Sequence, residues 1–339
     1  TLAARYAHQI TPLPPLEPSA EGETPEPQPK TYAQARAFSD FRVMFDQMAD
    51  EIDAVLIATP DHSHFAATML ALSLGKHVYV EKPLAHTFGQ TERLMRMAAK
   101  NPRLVTQMGN QGASNPLMDM IKGWMDSDKI GKVAKVQIWT NRPVWPQGIP
   151  WPSTPVTPPA DLDWDLWLGT APYKDYVGNL VPFNWRGWWD YGTGALGDMA
   201  CHIMEPPFRV LGLGYPKSAE CSVGSVYVGE FKRGHFPESC PPSSHITLRF
   251  DRPGKDDLEF HWMDGGIQPT RPEELGPNEM MGDGGNGVII EGTKGKMMCS
   301  TYGANPLLLP TSKTKDIKVQ ESLYRVPGGD RGHYDNWVN

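Results

Sequence analysis

Two constellations in this sequence have residue types and spacing suited to moving a proton: the run Glu81-Lys82-Pro83, and Asp198 with His202 four residues later. On a helix, residues four apart share a face, so the carboxylate and the imidazole can meet one ligand. Histidine is the side chain suited to proton transfer near neutral pH, and a nearby carboxylate would orient it or raise its pKa. Two other readings stay open here. His202 could be a buried histidine hydrogen-bonded by Asp198. His202 and Glu205 also have a spacing that a metal could use, but no second histidine cluster pairs with them and no metal is assigned.

The elements that must position these residues alternate. Residues 52–59, IDAVLIAT, form an apolar run expected to be a parallel strand buried on both faces, and a helix follows in which Asp61 can cap the start and Gly75 ends the run. HVYV is the next strand, Thr87 to Lys100 a helix, RLVTQMG a strand, Pro116 to Ser127 a helix and KVAKVQIWT a strand. This βαβ spacing predicts a Rossmann-like parallel sheet, in which ligands bind beyond the carboxyl ends of the strands. Three polar clusters would share that edge: residues 59–64, Glu81-Lys82-Pro83, and residues 109–112. A lysine at a strand end is usually only solvated, but three clusters in register place Lys82 against a ligand.

No strand and glycine-rich turn precede Ile52. Residues 1–9 read as a lone helix and residues 10–31 as a Pro- and Glu-rich insertion, so the first unit of the Rossmann-like sheet is expected to be missing from this chain. Gly282 to Gly287, GDGGNG, satisfies the dinucleotide pattern by letter, but it follows no buried strand and leads into a hairpin turning at Gly292 to Gly295. It reads as a mobile loop beside a substrate site.

After residue 141 a Pro- and Trp-rich segment begins. Trp145, Trp151, Trp164 and Trp167 would anchor irregular chain on the sheet or wall a sugar. Residues 217–325 read as successive strands forming a large, mostly antiparallel open sheet of an α+β domain, one face on helices and the other left for a partner subunit. The expected division is 1–131 and 132–339.

The 339 residues suit two domains, and the net charge of -7 with no basic patch argues against nucleic acid. No apolar run reaches the roughly 18 to 20 residues of a membrane span. Four scattered cysteines suggest neither a zinc knuckle nor a disulfide framework. No signal peptide is read at the start, and a soluble protein, cytoplasmic or periplasmic, is expected.

Taken together, ATPDHSH, GKHVYVEKP, GNQG, WRGWWDYGTGALGDMACH and HYDNW resemble, in order over residues 38 to 337, the glucose-fructose oxidoreductase, inositol dehydrogenase and rhizopine-catabolism family (Gfo/Idh/MocA). The resemblance implies a Rossmann domain binding NAD or NADP, a C-terminal α/β domain with an open sheet, homo-oligomers (dimer or tetramer) through that sheet, and hydride transfer between a carbohydrate or polyol carbon and nicotinamide. By motif position, Lys82 would touch the nicotinamide ribose and the substrate hydroxyl, oriented by Glu81, with a cis Lys82-Pro83 bond. His202 would be the general base and Asp198 a partner of substrate and Lys82. Thr59, Pro60, His64, Pro83, Asn110 and Gln111 would line the cofactor. Arg142, Trp185, Arg186, His261, His333 and Tyr334 would meet the substrate. The family ordinarily opens with a glycine-rich unit and continues past HYDNW, so this chain is expected to be a remnant of a longer protein. Two other functions fit the same residues: an NAD-dependent glycosidase or lyase that oxidises the sugar transiently and eliminates the aglycone, and a non-catalytic sugar-binding relative.

Overall fold

The computed structural model of the chain describes residues 35–252, 257–314 and 329–338. The helix read at residues 1–9, the Pro-rich segment 10–31 and the last strand read, 317–326, lie outside them.

The first unit runs α1 (Phe41–Met48), β1 (Ala54–Ile57), α2 (Asp61–Ser73), β2 (His77–Glu81), α3 (Phe88–Lys100) and β3 (Thr106–Gly109), with the strands parallel in the order β1-β2-β3. Register pairs Ile57 with Val80 and Glu81 with Gly109. The polar clusters that follow the three strands therefore do share one edge. The run 52–59 was expected to be buried on both faces, but Ala54 is exposed and Leu56 is 55% exposed. Its sequence suits a central strand. Among the described residues, however, β1 is the sheet's edge, and little chain covers those positions.

Helix α3 starts where its sequence says it should. Thr87 and Gln90 form a reciprocal capping box: the Gln90 N–H donates to Thr87 Oγ1 at 3.3 Å, and the Thr87 N–H donates to Gln90 Oε1 at 3.1 Å. Such a cap satisfies amide groups that have no helical partner. Thr87→Ala is expected to destabilise the chain by about 1 kcal/mol. Urea melts would register this, and an unchanged midpoint would show that α3 holds its start without the box.

The second unit runs α4 (Leu117–Asp126), β4 (Val133–Trp139), α5 (Trp164–Leu168), α6 (Gly194–Ile203), α7 (Glu205–Leu211), β5 (Ser218–Val223), β6 (Tyr227–Gly229), β7 (Lys232–Arg233), β8 (Ser244–Phe250), β9 (Leu258–Met263), β10 (Gly287–Gly292), β11 (Gly295–Cys299), β12 (Leu307–Leu309) and α8 (Gly329–Val338). Seven strands form one sheet, β12-β11-β10-β4-β9-β8-β5, antiparallel except where β4 meets β9. Alternation sets its faces. Val136, Ile138, Phe260, Trp262, Val288 and Ile290 pack under α4, α6 and α7 with Met118, Ile121, Trp124, Met199 and Ile203. On the opposite face, Trp139, Met263, Ile289 and Met298 are covered by Leu275 from the segment before β10, so that face is not wholly open.

Sequence position and packing divide the chain differently. Helix α4 precedes residue 131 yet joins the core of the large sheet. Helix α8, far along the chain, returns to the small one: Gln107 Nε2 donates to the His333 carbonyl at 2.5 Å, and Tyr334 stacks on Tyr79 with centroids 5.3 Å apart. Among the described residues, no helix is long and apolar enough to cross a membrane.

Candidate active site

The edge of the small sheet and the first turns of α6 meet at a pocket of about 490 Å³. Lys82, Asp198, His202, Arg142 and Arg186 line it, joined by Phe183, Met199, Asp283, Asn286, Thr301 and Tyr302.

Lys82 arrives from the end of β2, through a cis Lys82-Pro83 bond. Its Nζ donates to Asp198 Oδ1 and to the Asp198 carbonyl, both at 2.8 Å. Arg186 Nε lies 3.6 Å from the same Oδ1. The ammonium is therefore fixed from α6 by a partner 116 residues away. Glu81 was expected to orient it, and does not. Successive strand residues point to opposite faces, and the Glu81 carboxylate lies against Gly109, where a Cβ would come within 2.5 Å of Oε2. Glu81 Oε1 accepts from Gln111 Nε2 at 3.3 Å instead, and burial raises its pKa.

His202 is buried, with Nδ1 3.3 Å from Asn110 Oδ1. A carboxamide oxygen only accepts, so Nδ1 carries the hydrogen and Nε2 keeps its lone pair. Asn110, not Asp198, makes this orienting contact, because the Asp198 carboxylate is engaged by Lys82. Burial, assisted by the Lys82 charge, pushes the His202 pKa down to about 4 against the opposing pull of Asp198. Imidazole, rather than imidazolium, therefore faces the pocket at neutral pH.

The other predicted contacts divide into two groups. Arg142 and Arg186 line the pocket; Arg142 Nη1 donates to Asn141 Oδ1 at 2.6 Å, and Arg186 lies over the Trp185 and Phe183 rings at 4.3 and 4.7 Å. Thr59 is exposed at the sheet edge and accepts from Ser63 Oγ at 2.7 Å, with Pro60 capping α2 beside it. His64, by contrast, is 1% exposed, and its two ring nitrogens each lie 2.7 Å from a carbonyl oxygen, of Pro83 and Thr59. It braces the two strand ends against each other and has no surface left for a ligand. Gln111 Nε2 donates to Tyr334 Oη at 2.6 Å and Tyr79 Oη at 3.2 Å, while buried His333 meets Ser114 Oγ and the Met108 carbonyl at 3.0 and 3.1 Å. His333 and Tyr334 thus support the sheet edge from behind.

Trp185 is buried and donates Nε1 to the Pro182 carbonyl at 2.9 Å. His261 lies on the other face of the large sheet, beside His245 and Thr247 at 3.2 Å. Trp145, Trp164 and Trp167 are buried, while the partly covered Trp151 packs on the cluster formed by Trp164, Trp167, Trp188 and Tyr191. The aromatic side chains on the pocket are Phe183 and Tyr302.

The pocket also takes in residues with no role assigned from sequence. Asp283 and Asn286 come from the rejected GDGGNG match, whose position beside the pocket agrees with its reading as a loop near a substrate. That loop is closely bonded: Asp283 accepts from the Gly285 and Asn286 N–H groups at 3.0 and 2.6 Å and from Thr301 Oγ1 at 2.8 Å. Outside the pocket lining, Asp61 is the first residue of α2 and not its cap, and is buried accepting from Thr193 Oγ1 at 3.3 Å. Burial raises its pKa from 3.8 to about 6, while Arg186 and Lys82 pull it down. The folded chain therefore holds the Asp61 proton more tightly than the unfolded chain, and this site loses stability as pH rises from about 4 through 6. A shift of this size corresponds to about 3 kcal/mol. The stability of Asp61→Asn relative to the parent is expected to grow by that amount between pH 4 and pH 8; parallel urea-melt profiles would sink the assignment.

Among the described residues, no three His, Cys, Asp or Glu side chains gather in a way that could hold a metal ion. The sheet edge does fit the nicotinamide half of a dinucleotide. Thr59 is exposed, and the Lys82 ammonium can still reach solvent from its place beside Asp198.

Comparison with known proteins follows the same outline. The sequence model of a family described as "Oxidoreductase family, NAD-binding Rossmann fold" (GFO_IDH_MocA) matches residues 21–108, and that of its "C-terminal alpha/beta domain" (GFO_IDH_MocA_C2) matches residues 122–224. A levoglucosan dehydrogenase of Pseudarthrobacter phenanthrenivorans is 28% identical over 167 residues, 49% of this chain and 34% of that protein. An inositol 2-dehydrogenase of Saccharopolyspora erythraea is 34% identical over 80 residues, 24% of each chain. The matched stretches are thus about a third and about a quarter of these relatives' lengths. A solved levoglucosan dehydrogenase in complex with NADH superposes with a TM-score of 0.50 at 21% identity, covering 87% of this chain and 66% of that one, a likeness of fold.

Proposed function

Because the chain belongs to the Gfo/Idh/MocA oxidoreductase family, with its NAD-binding Rossmann and C-terminal α/β domains, we propose that it moves hydride between a hydroxyl-bearing carbon of a sugar, glycoside or polyol and the nicotinamide of NAD or NADP. The observation that carries the reading is the Lys82 ammonium, fixed by Asp198 at 2.8 Å, in one pocket with neutral His202. The relatives named for levoglucosan and inositol support the substrate class.

The cofactor supplies the hydride acceptor; Thr59, Lys82 and the Gly109-Asn110 backbone would hold its nicotinamide end. The side chains manage the proton. Two Lys82 N–H groups are engaged by Asp198, which leaves the third for the substrate oxygen. There the positive charge stabilises negative charge as the O–H proton leaves. That proton passes to His202 Nε2, and the Nδ1 hydrogen bond to Asn110 keeps the ring turned toward it. Arg142, Arg186 and Asn286 are the groups available for the remaining hydroxyls.

The test is NADH binding by fluorescence, followed by a panel of sugars, glycosides and cyclitols with NAD⁺ and NADP⁺ at the nicotinamide absorbance. Stoichiometric formation of reduced nicotinamide supports the proposal. Aglycone release without it would transfer the site to the elimination route, and sugar binding without nicotinamide binding would make the chain a non-catalytic relative.

A further inference from the structure

We propose that Tyr302 is the stacking wall of this pocket, the residue that receives the C–H face of a pyranose or cyclitol ring beside His202; this rests on the sugar-oxidation reading and names the side chain that recognises the ring. Tyr302 follows β11 and stands at φ 62°, ψ 18°, the left-handed region that disfavours any residue with a Cβ. Such a conformation persists only where the surroundings impose it, and imposed strain concentrates at ligand sites.

Here the surroundings are specific. The Tyr302 carbonyl accepts from Asn115 Nδ2 at 3.0 Å, and the ring lies against Gly112, where a Cβ would come within 2.3 Å of Cδ1. A glycine at 112 is what lets the ring sit there. The ring meets the His202 imidazole edge-on, with centroids 4.9 Å apart and planes at 75°. A tyrosine serving only the core would be covered as Tyr79 and Tyr191 are, at 0% exposure, yet Tyr302 keeps 40% of its surface open, and it lines the pocket. A partly exposed aromatic side chain on the pocket wall next to a proton acceptor, among cations and carboxamides, suits a ring that is apolar on its faces and polar at its rim. Phe183, 44% exposed, is the other aromatic on the lining.

Calorimetric binding of methyl β-glucopyranoside and of myo-inositol, with NADH present, tests this independently of turnover. Tyr302→Phe is expected to bind within threefold of the parent. Tyr302→Ala and Tyr302→Gly are expected to bind at least tenfold more weakly, with KM rising and kcat changing less than threefold where turnover occurs. Glycine should melt above alanine, since it alone relieves the backbone. Parent-like binding by Tyr302→Ala overturns the inference, as does a phenylalanine variant as weak as alanine, or a parent that binds neither ring. Tyr302-dependent binding without reduced nicotinamide would retire the oxidation reading and leave the wall standing; turnover with an unchanged KM in Tyr302→Ala would do the reverse.

Discussion

Lys82→Met is expected to lower kcat for sugar oxidation by about 10²- to 10³-fold, the usual cost of removing one group that stabilises developing negative charge. NADH affinity should change less, because most of a dinucleotide's contacts lie away from one ribose contact. Methionine keeps the length and removes the charge, which leaves Asp198 in its pocket with Arg186 at 3.6 Å as the remaining cation. A carboxylate whose side chain is only 16% exposed, losing its closest partner, should destabilise the chain by about 1 to 3 kcal/mol. The variant alone thus confounds stability with chemistry. In the pair Lys82→Met with Asp198→Asn the uncompensated charge is gone, so the urea midpoint should recover toward the parent while kcat stays low. If kcat returned with the midpoint, or if Lys82→Met alone turned over within threefold of the parent, Lys82 would be only a structural partner of Asp198.

The alternation of strand and helix and the shared edge of three strand ends were legible in the sequence, since each follows from a short-range pattern; the pairing of Asp198 with Lys82, 116 residues apart, was implied only by the family resemblance. What decides the site's chemistry was not legible. Asn110 and His202 are 92 residues apart, and no local rule joins a carboxamide at a strand end to an imidazole on a later helix. Asp61 is likewise buried by Thr193 and the turn before α6, which its own neighbours do not foretell.

His261 is different, because its displacement could have been read. In LEFHWM the apolar residues Leu258, Phe260 and Trp262 alternate, so the face they seek is the one under the helices, and His261 must point the other way. The pocket is built from α6, on the helix side. GDGGNG teaches the converse lesson. Its letters matched a phosphate loop, but its context was a hairpin, and Gly292 does pair with Gly295 across β10 and β11.

His202→Asn is expected to lower kcat by about 10²- to 10⁴-fold, the range for losing a general base. The pH behaviour distinguishes this role from mere packing. Burial holds His202 near 4, so kcat/KM should be level from about pH 5 upward, where an ordinary histidine would give a limb near 6.5. A base this weak takes little from a free alcohol, but as hydride departs the oxygen becomes that of a protonated carbonyl, a far stronger acid. Proton loss should therefore accompany hydride transfer, with Lys82 stabilising the charge the oxygen gains as its proton leaves. The same burial has a signed effect on folding. Between pH 4 and 6.5 the unfolded chain binds the His202 proton and the folded chain does not, so this site's stability is present above 6.5 and lost as pH falls toward 4. His202→Asn should remove about 3 kcal/mol of that slope. A parent limb near pH 6.5, together with urea-melt profiles that run parallel in parent and variant, would mean that the imidazole is hydrated and that the proton leaves by another group.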